Sequence, residues 1–213
     1  MLLALLFAAC GGTRRAAAPT VAGPAPLAAL LLDPADLGGA YLTQSETFLD
    51  EDGRPVTQPT QRYRRILERT PGATAPADLL FLTVNRSGAE AASAFIETAD
   101  DDSTGPPGLE DYIAAAIPGS RNVQAAIDPD FPGVGDASVA NRLTWKEESG
   151  GQERKVYAYA VYIQQDGVLA FVAVRAAETG GGEPPDLRAQ AEEIVRLQAT
   201  KLKNALAPSA GGG

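Results

Sequence analysis

Two strand-like segments, at residues 155–164 and 168–176, constrain the fold most strongly because Asp166 and Gly167 lie between them. Both segments are rich in valine and aromatic residues, which favour an extended backbone. Asp-Gly between two such segments is a strong signal for a two-residue turn, because both central positions of a type I′ turn require a positive φ. The sequence therefore predicts an antiparallel hairpin and, around it, an antiparallel sheet.

Hydrophobic periodicity predicts most of the remaining elements. It indicates strands over residues 62–70, 78–85 and 138–146 and helices over residues 88–99 and 183–206. The segment at residues 78–85 is apolar on both of its sides, so we expect a central strand that is covered on two faces. The last helix starts with two prolines and Asp186 and ends with Lys201 and Lys203, an arrangement that suits the helix dipole.

Residues 27–207 contain no internal repeat and no linker long enough to divide them, so we expect one domain. Its entry is an apolar segment at residues 30–32, followed by a helical turn with Asp33 as N-cap and Pro34 at the first helical position. Strands grouped in hairpins, with helices before and after them, indicate an α+β fold. The expected architecture is a single antiparallel β-sheet with helices packed on it.

The composition excludes several common kinds of site. The chain has no histidine and one cysteine, so it cannot form Ser-His-Asp or Cys-His catalytic groups, histidine zinc sites or an intramolecular disulfide. Its formal net charge is −9, and its 18 lysines and arginines are scattered along the sequence. Binding to a phosphate backbone requires clustered basic residues, so we expect no nucleic-acid partner. We also expect no cofactor and no metal.

Cys10 follows a short apolar leader at residues 1–9 and precedes two glycines. Small residues before a cleavage point, after an apolar stretch, are typical of a secretory signal peptide. The sequence FAAC at residues 7–10 resembles the bacterial lipobox. The resemblance implies cleavage before Cys10, acylation of Cys10 by fatty acids such as palmitate, and anchoring on the extracytoplasmic face of the bacterial cell membrane. The alternative is an incidental or buried cysteine near a frayed N-terminus.

The leader departs from the lipobox pattern in several respects. No lysine or arginine precedes the apolar stretch, and Phe7 stands where leucine is most usual. The stretch is also at the short end of the range for signal peptides. We therefore expect the true start of the protein to lie upstream of Met1.

A flexible, lipidated tether is expected over residues 10–26, between the leader and the domain. This segment is rich in alanine, proline and glycine without an amphipathic period, so it cannot bury enough surface to fold. Its stretch after the cysteine spans at most about 50 Å when fully extended. Arg14 and Arg15 either contact anionic lipid headgroups or only keep the tether solvated. The glycine-rich tail at residues 208–213 is expected to be disordered.

Two motifs have the spacing of ligand-binding loops. The sequence GVGDAS at residues 133–138 neither follows a strand nor precedes a helix, so we interpret it as a tight turn that enters a strand. From Asp100, oxygen-bearing side chains occupy positions 1, 3 and 5, glycine position 6 and Asp111 position 12, which is the spacing of a calcium loop. Pro106 and Pro107 interrupt that loop and aspartate replaces the usual glutamate, so a solvated acidic helix end is the alternative.

Aromatic residues in and near the predicted hairpin are the candidates for a ligand site. Tyr157 and Tyr159 share one face of their strand, and Trp145 lies in the same region of the sheet. Such residues either belong to the core, which is their commoner role, or line a cavity. Adjacent carboxylates such as Glu147 and Glu148 point to opposite sides of a strand, so we expect them to be surface charges rather than an acid–base pair.

The sequence PGVGDAS at residues 132–138, with the strand that contains Trp145 and the hairpin that follows, resembles small extracytoplasmic domains of actinobacterial-type lipoproteins. Several of these domains have a PsbP-like α/β sandwich, in which helices pack on both faces of an antiparallel sheet. The resemblance covers residues 78–206 and implies no catalytic residue.

The sequence thus predicts a membrane-anchored extracytoplasmic lipoprotein whose domain is not an enzyme. Its expected role is binding or accessory, with a small molecule, an envelope polymer or a protein as partner. One alternative is a cell-envelope hydrolase that uses carboxylates, which a cavity with two inward-facing carboxylates would favour. A cavity lined by Tyr157, Tyr159 and Trp145 would favour binding. The absence of any cavity would favour a structural or protein-interaction module.

Overall fold

A computed structural model describes residues 26–51, 53–86, 120–149 and 151–207 of the chain. Several predictions concern segments outside these residues: Cys10, the leader, nearly all of the tether, the helix at residues 88–99, the acidic motif from Asp100 to Asp111, and the tail. Those predictions stay predictions.

The described residues form one eight-stranded antiparallel sheet. Its strands are β1 (Tyr41–Leu49), β2 (Pro55–Val56), β3 (Arg62–Arg69), β4 (Leu79–Asn85), β5 (Arg121–Ile127), β6 (Ala137–Ser149), β7 (Gln152–Gln165) and β8 (Val168–Ala177). Their order across the sheet is β2-β1-β3-β4-β8-β7-β6-β5. Strands β5 to β8 therefore form a meander, and β4 joins this meander to the half built from β1, β2 and β3.

The predicted hairpin is confirmed as β7 and β8, with Asp166 and Gly167 between them. The φ angles of these two residues are 47° and 76°, as a type I′ turn requires. The strands predicted at residues 62–70, 78–85 and 138–146 are confirmed as β3, β4 and β6. Strand β4 is fourth in the order of eight, so its predicted central position is also confirmed.

Strands β1, β2 and β5 are absent from the sequence predictions, and each lies at or near an edge of the sheet. Five consecutive residues of β1, from Leu42 to Glu46, are exposed. No residue of β5 is fully buried. An edge strand packs on few neighbours, so its sequence carries little of the apolar alternation that reveals a central strand.

Helix α1 (Leu187–Leu206) follows the sheet and packs on β7 and β8. The predicted start at residue 183 is wrong, because Asp186 has a left-handed φ of 70° and the helix begins only after it. A left-handed residue cannot continue into a right-handed helix, and the Asp186 side chain makes no capping hydrogen bond. Glu183 therefore lies in the loop before α1.

The face of the sheet that α1 covers, called the helix-side face below, carries the larger core. Its fully buried aliphatic side chains come from alternate strand positions, from α1 and from a 3-10 turn at Leu27–Leu30; they include Leu30, Leu67, Leu80, Leu82, Val161, Ile163, Val172, Val174, Leu187, Val195 and Leu202. Burial of each such side chain stabilises the fold by about 1.5–3 kcal/mol relative to exposure. This core fixes α1 on the sheet and leaves the groove described below beside the helix.

The opposite face of the sheet is apolar as well. Leu143, Trp145, Val156, Ala158 and Ala160 are buried there and pack together. Both sides of the central strands therefore contribute to burial, which explains why the sequence of β4 is apolar at nearly every position.

The predicted entry segment is confirmed. Leu30, Leu31 and Leu32 are buried, and a turn follows them. One carboxylate oxygen of Asp33 accepts hydrogen bonds from the N–H groups of Ala35, at 2.9 Å, and Asp36, at 3.2 Å. Asp33 thus caps the turn as predicted, although the turn does not extend into an α-helix.

The fold is mostly β with some helix: one antiparallel sheet and, among the described residues, one α-helix that packs on it. This confirms the single antiparallel sheet of the predicted α+β fold. No helix in the described part of the chain is long and apolar enough to cross a membrane.

Candidate functional site

A groove of about 430 Å³ lies beside α1, over strands β5, β6 and β7. It is open to solvent along one side, and we call it the β5–β7 groove. The described residues that line it are Gln124, Ala125, Ala126, Arg142, Thr144, Lys155, Tyr157 and Glu183. Most of them are polar or charged, in contrast to the apolar core beneath α1.

Strand register brings the polar residues of the groove together. Thr144 of β6 lies opposite both Gln124 of β5 and Tyr157 of β7, so these three residues form one row across the sheet. Arg142 lies opposite Tyr159 in the next row. Residues that face each other across neighbouring strands point to the same side of the sheet, so both rows face the groove.

A row of three cations lies beside these residues. Arg121 of β5 is opposite Lys146 of β6, and Lys146 is opposite Lys155 of β7. Like charges directly opposite each other destabilise a sheet. The arrangement therefore costs stability unless counter-charges compensate it.

Two members of the cation row have carboxylate partners. The ammonium of Lys146 lies 2.6 Å from a carboxylate oxygen of Glu153, and the guanidinium of Arg121 lies 3.5 Å from Glu148. Lys155 forms no ion pair with any described residue; its Nζ lies 5.0 Å from the centre of the Tyr157 ring. Lys155 is therefore the cation of the row that is most available to a ligand.

Glu183 closes the groove at the start of α1. The hydroxyl of Tyr159 donates a hydrogen bond of 2.8 Å to Oε1 of Glu183, while Arg142 binds Oε2. Burial, together with this hydrogen bond and the charge of Glu183, raises the pKa of Tyr159 to about 12. Both carboxylate oxygens are thus engaged, and Phe131 packs on the Tyr159 ring at a centroid distance of 5.9 Å.

The groove has the groups needed to bind a polar ligand. Of the described residues that line it, Glu183 is the only carboxylate, whereas general acid–base hydrolysis of the predicted kind uses two. Within the described ranges, no cluster of three or more acidic, cysteine or histidine side chains could hold a metal ion. Cations, an amide and hydroxyls next to an aromatic ring are groups that can recognise a polar ligand.

The predicted aromatic trio is only partly assembled. Tyr157 lines the groove and Tyr159 lies at its end. Trp145 is opposite Val156, so it lies on the other face of the sheet and does not contribute. The sequence reasoning missed Arg142 and Lys155, which look like ordinary surface charges; the signal that would have found Lys155 is its register position opposite Lys146.

The motif at residues 132–138 is structural, and its interpretation as a tight turn before a strand is confirmed. Gly135 has a positive φ of 67°, and the backbone N–H of Asp136 donates a hydrogen bond of 2.8 Å to the carbonyl of Gln164. The Asp136 carboxylate accepts hydrogen bonds from the N–H of Asp166, at 2.7 Å, and from the side chain of Gln165. The motif therefore holds the β7–β8 turn against the start of β6.

The expectation that Glu147 is a surface charge is wrong. Glu147 is buried and accepts hydrogen bonds from Arg175, at 2.5 Å, and Arg154, at 2.9 Å. Arg175 also contacts Asp78 at 3.1 Å. This ion network links β6, β7 and β8 on the face away from the groove, so it supports the sheet rather than the site. Glu148, its neighbour, is exposed as expected.

Lipidation at Cys10 and calcium binding between Asp100 and Asp111 concern residues outside the described ranges. Comparisons with protein-family models, with curated proteins and with solved structures found no match to this chain. The candidate site thus rests on the geometry of the β5–β7 groove.

Proposed function

We propose that the chain is a lipid-anchored extracytoplasmic lipoprotein whose domain binds a ligand in the β5–β7 groove without transforming it. Fatty acids on Cys10 hold it on the outer side of a bacterial cell membrane. Its partner in this proposal is a polymer of the cell envelope rather than an enclosed small molecule.

The groove is the observation that carries this proposal. Its volume of about 430 Å³ is within the range of ligand sites, and its open side admits a chain that extends beyond it. Tyr157 provides an aromatic surface, and Gln124 and Thr144 provide hydrogen-bonding groups. A small molecule that needs most of its surface buried would find too little enclosure here.

The anchor rests on the sequence FAAC at residues 7–10 and on the segment behind it. Two or three acyl chains on Cys10 would give stable attachment, because a single chain binds a membrane only reversibly. The stretch of the tether after Cys10 would separate the domain from the bilayer by up to about 50 Å. A domain held in this way meets the polymers that lie near the membrane surface.

A PsbP-like sandwich is the fold we propose for the domain. The antiparallel sheet with α1 packed on one face supports this assignment. The apolar and buried second face, with Leu143 and Trp145, supports it as well. Such domains, by the resemblance stated above, act without catalytic residues, in agreement with a binding role.

The anchor is tested by metabolic labelling with an alkyne fatty acid in bacteria that express the full chain or its Cys10→Ala variant. The label should appear on the full chain and be lost in the variant. Equal labelling of the two proteins would contradict lipid attachment at Cys10.

The groove is tested by filling it. Ala126 is exposed and lines the groove, so Ala126→Trp should obstruct the ligand without removing a buried contact. Leu42→Trp, at a position 55% exposed on β1, is the matched control. In detergent, which keeps the acyl chains in micelles, the full chain should sediment with cell envelopes from which the lipids have been extracted. Leu42→Trp should do the same, and Ala126→Trp should remain in solution. If Ala126→Trp sediments like the full chain, the groove is not the binding site.

A further inference from the structure

Four cations lie in and beside the β5–β7 groove of a chain that is strongly acidic as a whole. Arg142 and Lys155 line the groove, and Arg121 and Lys146 continue the row of cations beside it. Four carboxylates lie near these four cations: Glu148, Glu153, Glu178, which is opposite Lys155, and Glu183. The formal net charge of the chain is −9. The charges around the groove are therefore balanced, so a negative ligand meets less repulsion there than over the acidic chain as a whole.

The cation row is arranged to contact several anionic groups at once. Neighbouring strands lie about 4.8 Å apart, so Arg121, Lys146 and Lys155 span about 10 Å across three strands. A single small anion cannot touch both ends of such a row. A linear ligand with repeated charges can.

Of the three cations in this row, Lys155 is the one whose charge is least neutralised by carboxylates of the chain. It is exposed and makes no ion pair with a described residue, and the Tyr157 ring holds its ammonium at the wall of the groove. Tyr157 itself is only 7% exposed, so the ring is a fixed support. A cation positioned in this way loses little conformational freedom when it meets an anion.

The next row offers neutral hydrogen-bonding groups. The hydroxyl of Thr144 lies 3.4 Å from the amide oxygen of Gln124, and both line the groove. Hydroxyl and amide groups suit the hydroxyls of a sugar or polyol. The two rows together therefore match a chain that carries both negative charges and hydroxyl groups.

We infer that the β5–β7 groove and the cation row at its edge bind an anionic polyol polymer. Phosphate or carboxylate groups of the polymer lie on the row Arg121–Lys146–Lys155, and its hydroxyls lie on Gln124 and Thr144. This inference rests on the proposed binding function and specifies its ligand. Phosphate and carboxylate are both anions whose oxygens accept hydrogen bonds from lysine and arginine, so either group can bind the row. An anionic membrane surface would need a flat face, whereas Lys155 and Arg142 line a groove.

The test measures binding of the full chain in detergent to poly(glycerol phosphate), polygalacturonate and neutral dextran, with Lys155→Gln compared with Lys203→Gln. Both lysines are exposed, and Lys203 lies in the last turn of α1, so the two variants lose the same charge at different places. One or both polyanions should bind and dextran should not, and the tighter polyanion identifies the anionic group. Lys155→Gln should weaken binding about fivefold, and Lys203→Gln should leave it unchanged. Added salt should weaken the binding of the polyanions to all of these proteins.

Dextran binding as tightly as the polyanions, or an equal effect of the two lysine variants, would overturn the inference. Preferential and Lys155-dependent binding to phosphatidylglycerol vesicles would overturn it in favour of a membrane surface. Ala126→Trp distinguishes a failure of this inference from a failure of the proposed function. If that variant abolishes envelope binding while Lys155→Gln has no effect, the groove binds a neutral ligand and only the inference fails. If Ala126→Trp has no effect, the proposed function fails as well.

Discussion

The side chain of Gln198 on α1 completes the backbone hydrogen bonds of Leu30 and Leu32. Its amide oxygen accepts a bond of 3.0 Å from the N–H of Leu32, and its Nε2 donates a bond of 2.6 Å to the carbonyl of Leu30. From the other side, Arg65 of β3 donates bonds to the carbonyls of Leu31, at 3.1 Å, and Leu32, at 2.8 Å. The segment after the predicted tether is therefore held between helix and sheet, although it belongs to neither.

We predict that Gln198→Leu destabilises the domain by about 2–4 kcal/mol, because it leaves two buried main-chain groups without partners. The side chain is fully buried, so water cannot replace the lost bonds. Urea denaturation gives the free energy of unfolding, and hydrogen exchange should show lost protection at the Leu32 amide. Leu197→Ala, at a neighbouring position 37% exposed, is the control and should change little. Unchanged exchange at Leu32 in Gln198→Leu would contradict the prediction.

The parts of the fold that could be predicted are those whose sequence signal is local. Asp166 and Gly167 identify the β7–β8 turn because few other residue pairs accept two positive φ angles. Strands β1 and β5 give no such signal, because their pairing depends on neighbours far along the chain. The start of α1 was misplaced because the left-handed φ of Asp186 follows from the loop before it, which periodicity does not describe.

The candidate site was predictable only in part. Tyr157 could be named from the sequence, since alternation places it on the same face as Tyr159. The exclusion of Trp145 and the alignment of Lys146 with Lys155 depend on the register of β6 against β7. Register in a long hairpin is set by the turn and by packing, so charged residues at its end look like solvated surface until the pairing is known.

We predict that Gly135→Ala is strongly destabilising while Gly133→Ala, in the same motif, is tolerated. A Cβ at position 135 would lie 2.5 Å from the carbonyl oxygen of Gln164 and 2.9 Å from a methyl carbon of Ile163, and the φ of 67° disfavours any side chain. A Cβ at position 133 meets no atom within 4 Å. Thermal unfolding should show that Gly135→Ala lowers the free energy of unfolding by about 2 kcal/mol or more. Equal stability of the two variants would show that the close approach at Gly135 does not exist in solution.

We predict that Asp33 makes stability depend on pH in the acidic range. Burial opposes its ionisation, but hydrogen bonds from the Asp36 N–H and from Lys201 outweigh burial and hold the pKa of Asp33 below its ordinary value of 3.8. Because the folded-state pKa is lowered, Asp33 contributes to the free energy of unfolding in full above pH 3.8. This contribution disappears as the pH falls through the folded-state pKa. Asn at this position still caps a turn but cannot pair with Lys201 as an anion.

Urea denaturation of Asp33→Asn across this range tests the prediction. The variant should be less stable than the natural chain at neutral pH, and the difference should vanish in strong acid. Glu178→Gln removes an exposed carboxylate that forms no ion pair with a described residue, so it should show no such pH-dependent difference. A difference that stays constant with pH for Asp33→Asn would exclude the ion pair as its cause.

We predict that Glu183→Gln lowers the pKa of Tyr159, which the groove holds at about 12 through burial, the hydrogen bond and the negative charge of Glu183. Glutamine removes the charge but not the burial, so the pKa should fall while staying above the ordinary value of 10.0. Because the folded-state pKa is raised, the unfolded chain loses this proton first, and stability falls between pH 10 and about 12.

Ultraviolet absorbance of tyrosinate measures the titration, and loss of one step in Tyr159→Phe identifies the step that belongs to Tyr159. Tyr41 is an internal control, since burial raises its pKa to about 12 independently of Glu183, and its step should not move. If Tyr159 ionises near pH 10 in the natural chain, Glu183 does not close the groove in solution.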